Sequence, residues 1–266
     1  TTTITNVAQE FRLSEYERIP ERIQALLADM DRLLGPGNDM AAGLRIELAR
    51  YYTESGDARR ALAERRDILA RAQAAQVQHP AVLIGMKAAL LLARAQAHAD
   101  EAATLRSDAR ALLAEMAAQR AQLGYGRADA WINIARVGLL LDEAGLAADA
   151  LGRLQADTGL QLDRDVLLAS RVAQLAGELA RLQGDLPRSQ ALLRQRLQVF
   201  ERPGADPQVL PAWVATLDLA YTQLLLGDAQ LRVARIISIE PDRGAGFMNF
   251  APRVMITSAD LAATGL

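Results

Sequence analysis

Apolar residues recur every three or four positions from residue 14 to residue 240, which is the spacing of helices that bury one face. The first clear stripe runs from Ile23 to Leu34, follows Pro20 and ends at Gly35-Pro36-Gly37. Val and Ile are sparse and rarely alternate with polar residues, so the pattern gives no support for strands. It predicts an all-α chain of about eleven helices.

Short breaks divide this helical pattern into pairs of helices. They lie 39 to 46 residues apart, at Gly56-Asp57, Ala99-Asp100, Gly145, Gly184-Asp185 and Gly227-Asp228. One helix pair cannot bury its apolar face alone, so the pairs are expected to stack. We predict a polar arm over 1–13, a capping helix within 14–38, five helix pairs over 39–241, and a capping segment or tail over 242–266.

Small residues recur at a fixed distance before the breaks. Ala49, Gly138, Gly177 and Ala220 each lie seven residues before one of them, where two helices can approach closely. In the fourth pair we expect Gly177 to face Ser189 and Leu193 of the second helix. Trp131 and Trp213 both lie fourteen residues before a break and are expected to pack between helix pairs.

These positions resemble the tetratricopeptide repeat. The matching residues are Leu48-Ala49, Tyr52, Gly56-Asp57, Ala61-Leu62, Ala176-Gly177, Ala180, Gly184-Asp185, Ser189, Leu219-Ala220 and Gly227-Asp228. The period exceeds the usual length of about 34 residues, and the helix start at His79-Pro80-Ala81-Val82 resembles the extended repeats of kinesin light chains. HEAT-like helix pairs also fit this period. The resemblance implies a right-handed α-solenoid, a TPR-like superhelix of antiparallel helix pairs.

Composition narrows the possible functions. The chain has 30 basic and 32 acidic residues, so the basic patch of a nucleic-acid-binding protein is not expected. It has no Cys, which excludes thiolate catalysis, disulfides and Cys-ligated zinc. No apolar run is long enough to cross a bilayer and no signal peptide is recognised, so we predict a cytoplasmic protein without membrane insertion. The missing initiator Met suggests a piece of a longer chain.

Candidate catalytic chemistry is weak. His79 and His98 have no His or carboxylate partner at helical spacing, and no nucleophile motif or carboxylate pair stands out. Acidic residues alternate with Arg, as on solvated helix faces. We therefore predict no enzyme activity, no metal and no cofactor.

The tetratricopeptide resemblance implies a concave face lined by the first helix of each pair. Its predicted partner-binding residues are Glu47, Arg50, Arg136, Asp142, Arg171, Gln174, Glu178, Arg181, Asp218 and Tyr221. In the second pair the same positions give a bare apolar patch at Met86, Ala89 and Ala93. The face is mixed in charge, and its Arg side chains suit carboxylates or phosphates.

Repeats of this kind imply a protein- or peptide-binding module, as in regulatory regions of bacterial signalling proteins. One alternative is the small-molecule sensor domain of a MalT-type regulator, which would show a closed apolar pocket. Another is a self-associating scaffold, with an exposed apolar patch at one end of the array and a homo-oligomeric state. Phe247, Met248 and Phe250 form a further candidate partner motif in the tail.

Overall fold

The computed structural model describes residues 18–34, 39–119, 122–124, 127–160, 162, 165–201 and 210–227. These residues form ten α-helices and no strand, as the apolar spacing predicted. In chain order the helices are α1 (Ile19–Leu34), α2 (Asp39–Ser55), α3 (Ala58–Ala74), α4 (Pro80–Ala97), α5 (Ala102–Ala118), α6 (Arg127–Leu140), α7 (Ala144–Gln155), α8 (Val166–Leu182), α9 (Leu186–Leu197) and α10 (Leu210–Leu226). Short 3-10 helices lie at Ala99–Glu101 and Thr158–Leu160.

The helices pack in pairs that stack along the chain. Four pairs are complete: α2 with α3, α4 with α5, α6 with α7, and α8 with α9. First helices of successive pairs also pack on each other, α4 on α6 and α6 on α8, while α10 packs on α9. This arrangement confirms an all-α solenoid of stacked helix pairs. The right-handed sense of the superhelix stays a prediction, and the predicted partner of α10, the arm 1–13 and the segment 242–266 lie outside the described residues.

The capping helix of the prediction is α1. It begins at Ile19, with Pro20 in its first turn, where the missing N–H leaves no intrahelical hydrogen bond unmade. Ile23, Leu27 and Met30 are buried. Leu33 and Leu34, which we placed in the same buried stripe, are instead 72% and 55% exposed, because the helix ends there without a partner surface among the described residues.

Three glycines close first helices in the same way. Gly56 and Gly184 have φ of 80° and Gly227 has φ of 77°, the left-handed conformation that glycine adopts without steric cost. The residue after the first two caps the next helix: the carboxylate of Asp57 accepts from the backbone N–H of Arg60, and that of Asp185 from Arg188, both at 3.1 Å. The Gly-Asp dipeptide is therefore both a helix end and a helix start.

The third break was placed wrongly. Gly145 lies inside α7, and the chain turns at Asp142, which has a φ of 54°. Asp tolerates this conformation better than most side chains, so it replaces glycine here. The register of the third pair shifts accordingly: the small residue seven positions before the turn is the buried Ala135, and Trp131 lies eleven residues before it. Trp131 is buried among the helix pairs as predicted, whereas the side chain of Trp213 lies outside the described part of the chain and its packing stays a prediction.

Close helix contacts occur at the small residues. A Cβ added to Gly177 would lie 2.8 Å from Leu193 Cγ and 3.4 Å from the carbonyl oxygen of Ser189, which confirms the predicted contact. A Cβ on Gly138 would lie 2.6 Å from the backbone nitrogen of Ala147. At both places the missing side chain lets the two helices of a pair touch.

Helix α4 connects the two apolar clusters of the solenoid. One cluster joins α1, α2 and α3 and includes Ala93 of α4. The other joins α4 through α8 and includes Ile84, Ala88 and Leu92 of α4. Among the described helices, α4 passes the test of length and apolarity for a membrane span. It lies in the middle of the array, packed on α3, α5 and α6.

Candidate functional site

First helices of three successive pairs, together with α10, form the walls of an open groove. Its volume is about 530 Å³. The lining residues are Gln96 from α4, Arg136, Leu139 and Leu140 from α6, Asp142 from the turn, Gln174, Glu178, Arg181 and Leu182 from α8, and Tyr221 and Leu225 from α10.

The repeat explains which side chains line this groove. Arg136, Glu178 and Tyr221 each lie six residues before the left-handed turn residue of their pair. Leu140, Leu182 and Leu225 each lie two residues before it. Stacked pairs place equivalent positions side by side. The side chains six residues before the turns therefore form a row with polar groups along the groove, and those two residues before the turns form a row of leucines.

Six of the ten predicted residues lie in this groove. They are Arg136, Asp142, Gln174, Glu178, Arg181 and Tyr221. Asp218 lies beside the groove, where it contacts Gln174.

The other three predicted residues do not line the groove. Arg171 donates to Asp129 on α6 at 2.7 Å, an exposed ion pair. Glu47 and Arg50 pair with each other at 2.5 Å on α2. Arg50 lies six residues before the left-handed turn residue Gly56, the position that Arg136, Glu178 and Tyr221 occupy in their pairs, but it does not line the groove.

The second pair departs from the prediction. Ala93 is fully buried and Ala89 is 9% exposed, so the bare apolar patch expected at Met86, Ala89 and Ala93 does not exist as such. The small side chains pack helices together instead. The second pair contributes Gln96, in the last turn of α4, to the groove. Sequence reasoning missed this residue because the break at Ala99-Asp100 lacks glycine, so the register of α4 could not be read from it.

A polar network joins α8, α9 and α10 at the groove. The amide nitrogen of Gln174 donates to Glu178 Oε1 at 2.8 Å and to Asp218 Oδ2 at 3.5 Å. Arg196 of α9, which is 4% exposed, donates to the same Asp218 oxygen at 2.7 Å. Two carboxyl groups from different helices therefore share one amide, and a buried guanidinium pairs with one of them, that of Asp218.

The environment of Asp218 disfavours its ionised form. Burial raises the pKa of Asp218 to about 6, and the nearby carboxylate of Glu178 adds to the rise. Arg196 and Arg181 oppose it, but they do not cancel the cost of desolvation. This carboxyl group therefore titrates close to neutral pH.

Arg181 is held against α10 by two contacts. Its guanidinium lies 5.0 Å from the centre of the Tyr221 ring, a cation–π arrangement, and donates to the hydroxyl of Thr222 at 3.3 Å. Thr222 in turn donates to the carbonyl oxygen of Asp218 and lies 3.4 Å from the Ser189 hydroxyl. Within the described residues Arg181 has no carboxylate within ion-pair distance.

Metal binding finds no support in the part of the chain that the structure describes, where no three His, Asp or Glu side chains cluster suitably. His79 lies at the N-cap of α4 and His98 at its C-cap. The His79 side chain makes no capping hydrogen bond to α4, and the His98 side chain makes none to the 3-10 helix that follows.

Stacked helix pairs around an open groove of mixed polarity define an all-α helical-repeat protein. A solved structure, that of BtubC (BKLC) from P. vanneervenii, is similar to this chain, with a TM-score of 0.48 and 20% identity over 84% of this chain and 85% of that chain. No protein-family model and no curated protein matches the chain.

Proposed function

We propose that this chain is a non-catalytic module that binds a protein segment or peptide in the groove between α4, α6, α8 and α10. From the resemblance to tetratricopeptide arrays of bacterial signalling proteins, we further propose that it is the regulatory or scaffolding part of such a protein and works in the cytoplasm. The partner is a polypeptide, neither nucleic acid nor membrane.

The observation that carries this proposal is the repeated lining of the groove. Polar heads alternate there with leucines along a cavity that stays open to solvent. Arg and Tyr, which dominate the energetics of many interfaces, lie together at Arg136, Arg181 and Tyr221. An extended or helical peptide offers matching apolar and polar groups at regular spacing.

A paired substitution tests the groove. The groove variant combines Arg136→Gln with Arg181→Gln. The matched control combines Arg171→Gln with Arg194→Gln, which removes the same charge from α8 and α9 outside the groove. Each protein is immobilised, exposed to lysate, and the retained proteins are quantified by mass spectrometry.

We expect the groove variant to lose at least one protein that the wild type and the control both retain. Circular dichroism and the melting temperature should stay near wild type in both variants. Equal recovery of every retained protein by the two variants would contradict the groove assignment and direct attention to the 242–266 segment.

A small-molecule sensor is the second candidate. The cavity volume of about 530 Å³ falls within the range of ligand pockets, which is about 300–1,000 Å³. Its openness and its charged lining favour a peptide over an apolar ligand. Stabilisation by a metabolite, lost in the groove variant and kept in the control, would favour the sensor.

Self-association is the third candidate. Leu217 and Leu225 of α10 are each 46% exposed, at the end of the described array. Analytical ultracentrifugation distinguishes this role, since a scaffold would form oligomers that the groove variant leaves intact. A monomer at all concentrations would exclude it.

A further inference from the structure

Two carboxyl groups, those of Glu178 on α8 and Asp218 on α10, lie against the same Gln174 amide. Asp218 is faced by Glu178 and Arg181 from α8 and by Arg196 from α9. On α10 itself, Tyr221 lies under Arg181 and Thr222 donates to the Asp218 carbonyl. Polar side chains therefore make contacts between α8 and α10 across the groove, in addition to the packing of α10 on α9.

We propose that Asp218 and Glu178 form a proton-operated clamp between the two walls of the groove. A proton on this pair joins α10 to α8, and loss of the proton loosens α10. The proposal rests on the proposed function only in taking the groove as a binding site, because the clamp itself needs no partner.

Hydrogen bonding explains the closed state. A protonated Asp218 no longer repels the Glu178 carboxylate, while its Oδ2 still accepts from Arg196 and from the Gln174 amide. The Gln174 amide already connects the two carboxyl groups, with N–O distances of 2.8 Å and 3.5 Å. One proton is sufficient to remove the repulsion between the two groups.

Electrostatics explains the loosened state. With both carboxyl groups ionised, two negative charges share one amide donor, and Arg196, which donates to Asp218, and the nearby Arg181 offset the cost only in part. The Asp218 side chain is 21% exposed, and moving α10 outward would hydrate it further and separate it from Glu178. The pKa of Asp218 is raised to about 6 in this arrangement. Because the closed arrangement raises the pKa, protonation of Asp218 must favour the closed arrangement and ionisation must favour the open one.

The clamp acts on residues that line the groove. Glu178 and Gln174 belong to one wall, while Tyr221 and Leu225 belong to the other, on the helix that carries Asp218. Loosening α10 would widen the groove and separate Tyr221 from Arg181. Acidification from neutral pH would bring them together again.

Spin labels measure this movement directly. The chain has no Cys, so introduced cysteines are labelled uniquely. Leu167→Cys on α8 and Leu224→Cys on α10 are exposed positions outside the groove lining. A reference pair, Leu167→Cys with Arg194→Cys, lies within the α8–α9 pair and reports any general loss of structure.

We expect the α8–α10 distance distribution to be narrow at about pH 5 and broader and longer at about pH 7.5. The midpoint should lie near pH 6, and the reference pair should not change. Asp218→Asn, which cannot ionise, should give the narrow distribution at both pH values. Glu178→Gln should move the midpoint to lower pH by removing the repelling charge.

A matched control is Asp149→Asn on α7, an exposed carboxylate paired with Arg153. It should leave the transition unchanged. A wild-type distribution that does not change with pH, or a transition that persists in Asp218→Asn, would overturn the clamp. Because no partner is present, these results do not depend on whether the groove variant loses a binding partner.

Discussion

Gly177 on α8 and Leu193 on α9 are in direct contact, with no room for a side chain between them. An ideal Cβ on Gly177 would lie 2.8 Å from Leu193 Cγ and 2.9 Å from its Cδ2. Gly138 on α6 makes an even closer approach to α7, but the neighbouring atom there is a backbone nitrogen, that of Ala147. A leucine side chain can rotate away, whereas a backbone atom moves only with its helix.

This difference predicts a graded effect of alanine at three helical glycines. Gly138→Ala should lower the free energy of unfolding by roughly 1–3 kcal/mol, because the helix pair must separate. Gly177→Ala should cost less, since Leu193 can adjust. Gly152→Ala, which meets no atom within 4 Å, should stabilise by roughly 0.5–1 kcal/mol through helix propensity. Urea unfolding followed by circular dichroism measures all three, and equal effects would mean that the helix contacts are wrong.

Removing glycine from one left-handed turn and introducing it at another should have opposite effects on stability. Gly184→Ala places a side chain at a φ of 80° and should cost about 1 kcal/mol. Asp142→Gly relieves a non-glycine residue at a φ of 54° and should stabilise by a few tenths to about 1 kcal/mol. The melting temperatures of the two variants test this. A destabilised Asp142→Gly would indicate that the aspartate side chain contributes more than its conformation costs.

A buried ion pair fixes the start of α6. Arg127 Nε lies 2.5 Å from Asp157 Oδ2 and Arg127 Nη2 lies 2.7 Å from Oδ1, with Asp157 only 5% exposed. Asp157 also accepts from the backbone N–H of Gly159 at 3.0 Å. The bidentate hydrogen bonds raise the pKa of Arg127, which stays protonated at every accessible pH.

Removing one member of this pair should cost more than removing both. Arg127→Met leaves the Asp157 carboxylate buried without its counterion and should cost about 3 kcal/mol. Arg127→Met combined with Asp157→Leu should recover part of that loss, because no uncompensated charge remains. A double-mutant cycle on the unfolding free energy measures the coupling. A single variant as stable as wild type would mean that the pair is exposed in solution.

Asp218 should make stability depend on pH. Its pKa is about 6 in the fold against an ordinary value of 3.8, so between these values the folded chain binds more protons than the unfolded chain. Stability contributed by this group is therefore complete below about pH 4 and is lost as the pH rises through about 6. The unfolding free energy of wild type minus that of Asp218→Asn should fall by roughly 1–3 kcal/mol across this window. A difference in unfolding free energy that does not change with pH would contradict the raised pKa of Asp218.

The repeated helices could be predicted from the sequence because their causes are local. Apolar spacing decides which segments form amphipathic helices, and a Gly-Asp dipeptide ends one helix and caps the next without help from distant residues. Gly177, Ser189 and Leu193 could be paired because they lie within one hairpin, whose short turn fixes their register. Six of the groove residues were assigned through the tetratricopeptide resemblance, which implies that first helices line the concave face.

The third turn shows where local reasoning fails. Gly145 and Asp142 are both acceptable turn residues, and the choice depends on which register packs α6 on α7, with Gly138 against Ala147. A shift of three residues rotates a helix by most of a turn, so this choice decides which side chains face the groove. Only the packed arrangement resolves it.

The sequence by itself determined the helices, most of their turns and the small residues at which paired helices touch, since each depends on neighbours close in the chain. The tertiary structure alone decided that Ala89 and Ala93 are buried, that Arg171 pairs with Asp129, and that Asp218, Glu178 and Arg196 meet. These contacts join different helix pairs, at separations of about 20 to 40 residues, and depend on how the pairs stack. Burial and charge at such contacts set the pKa of Asp218, which no spacing in the sequence encodes.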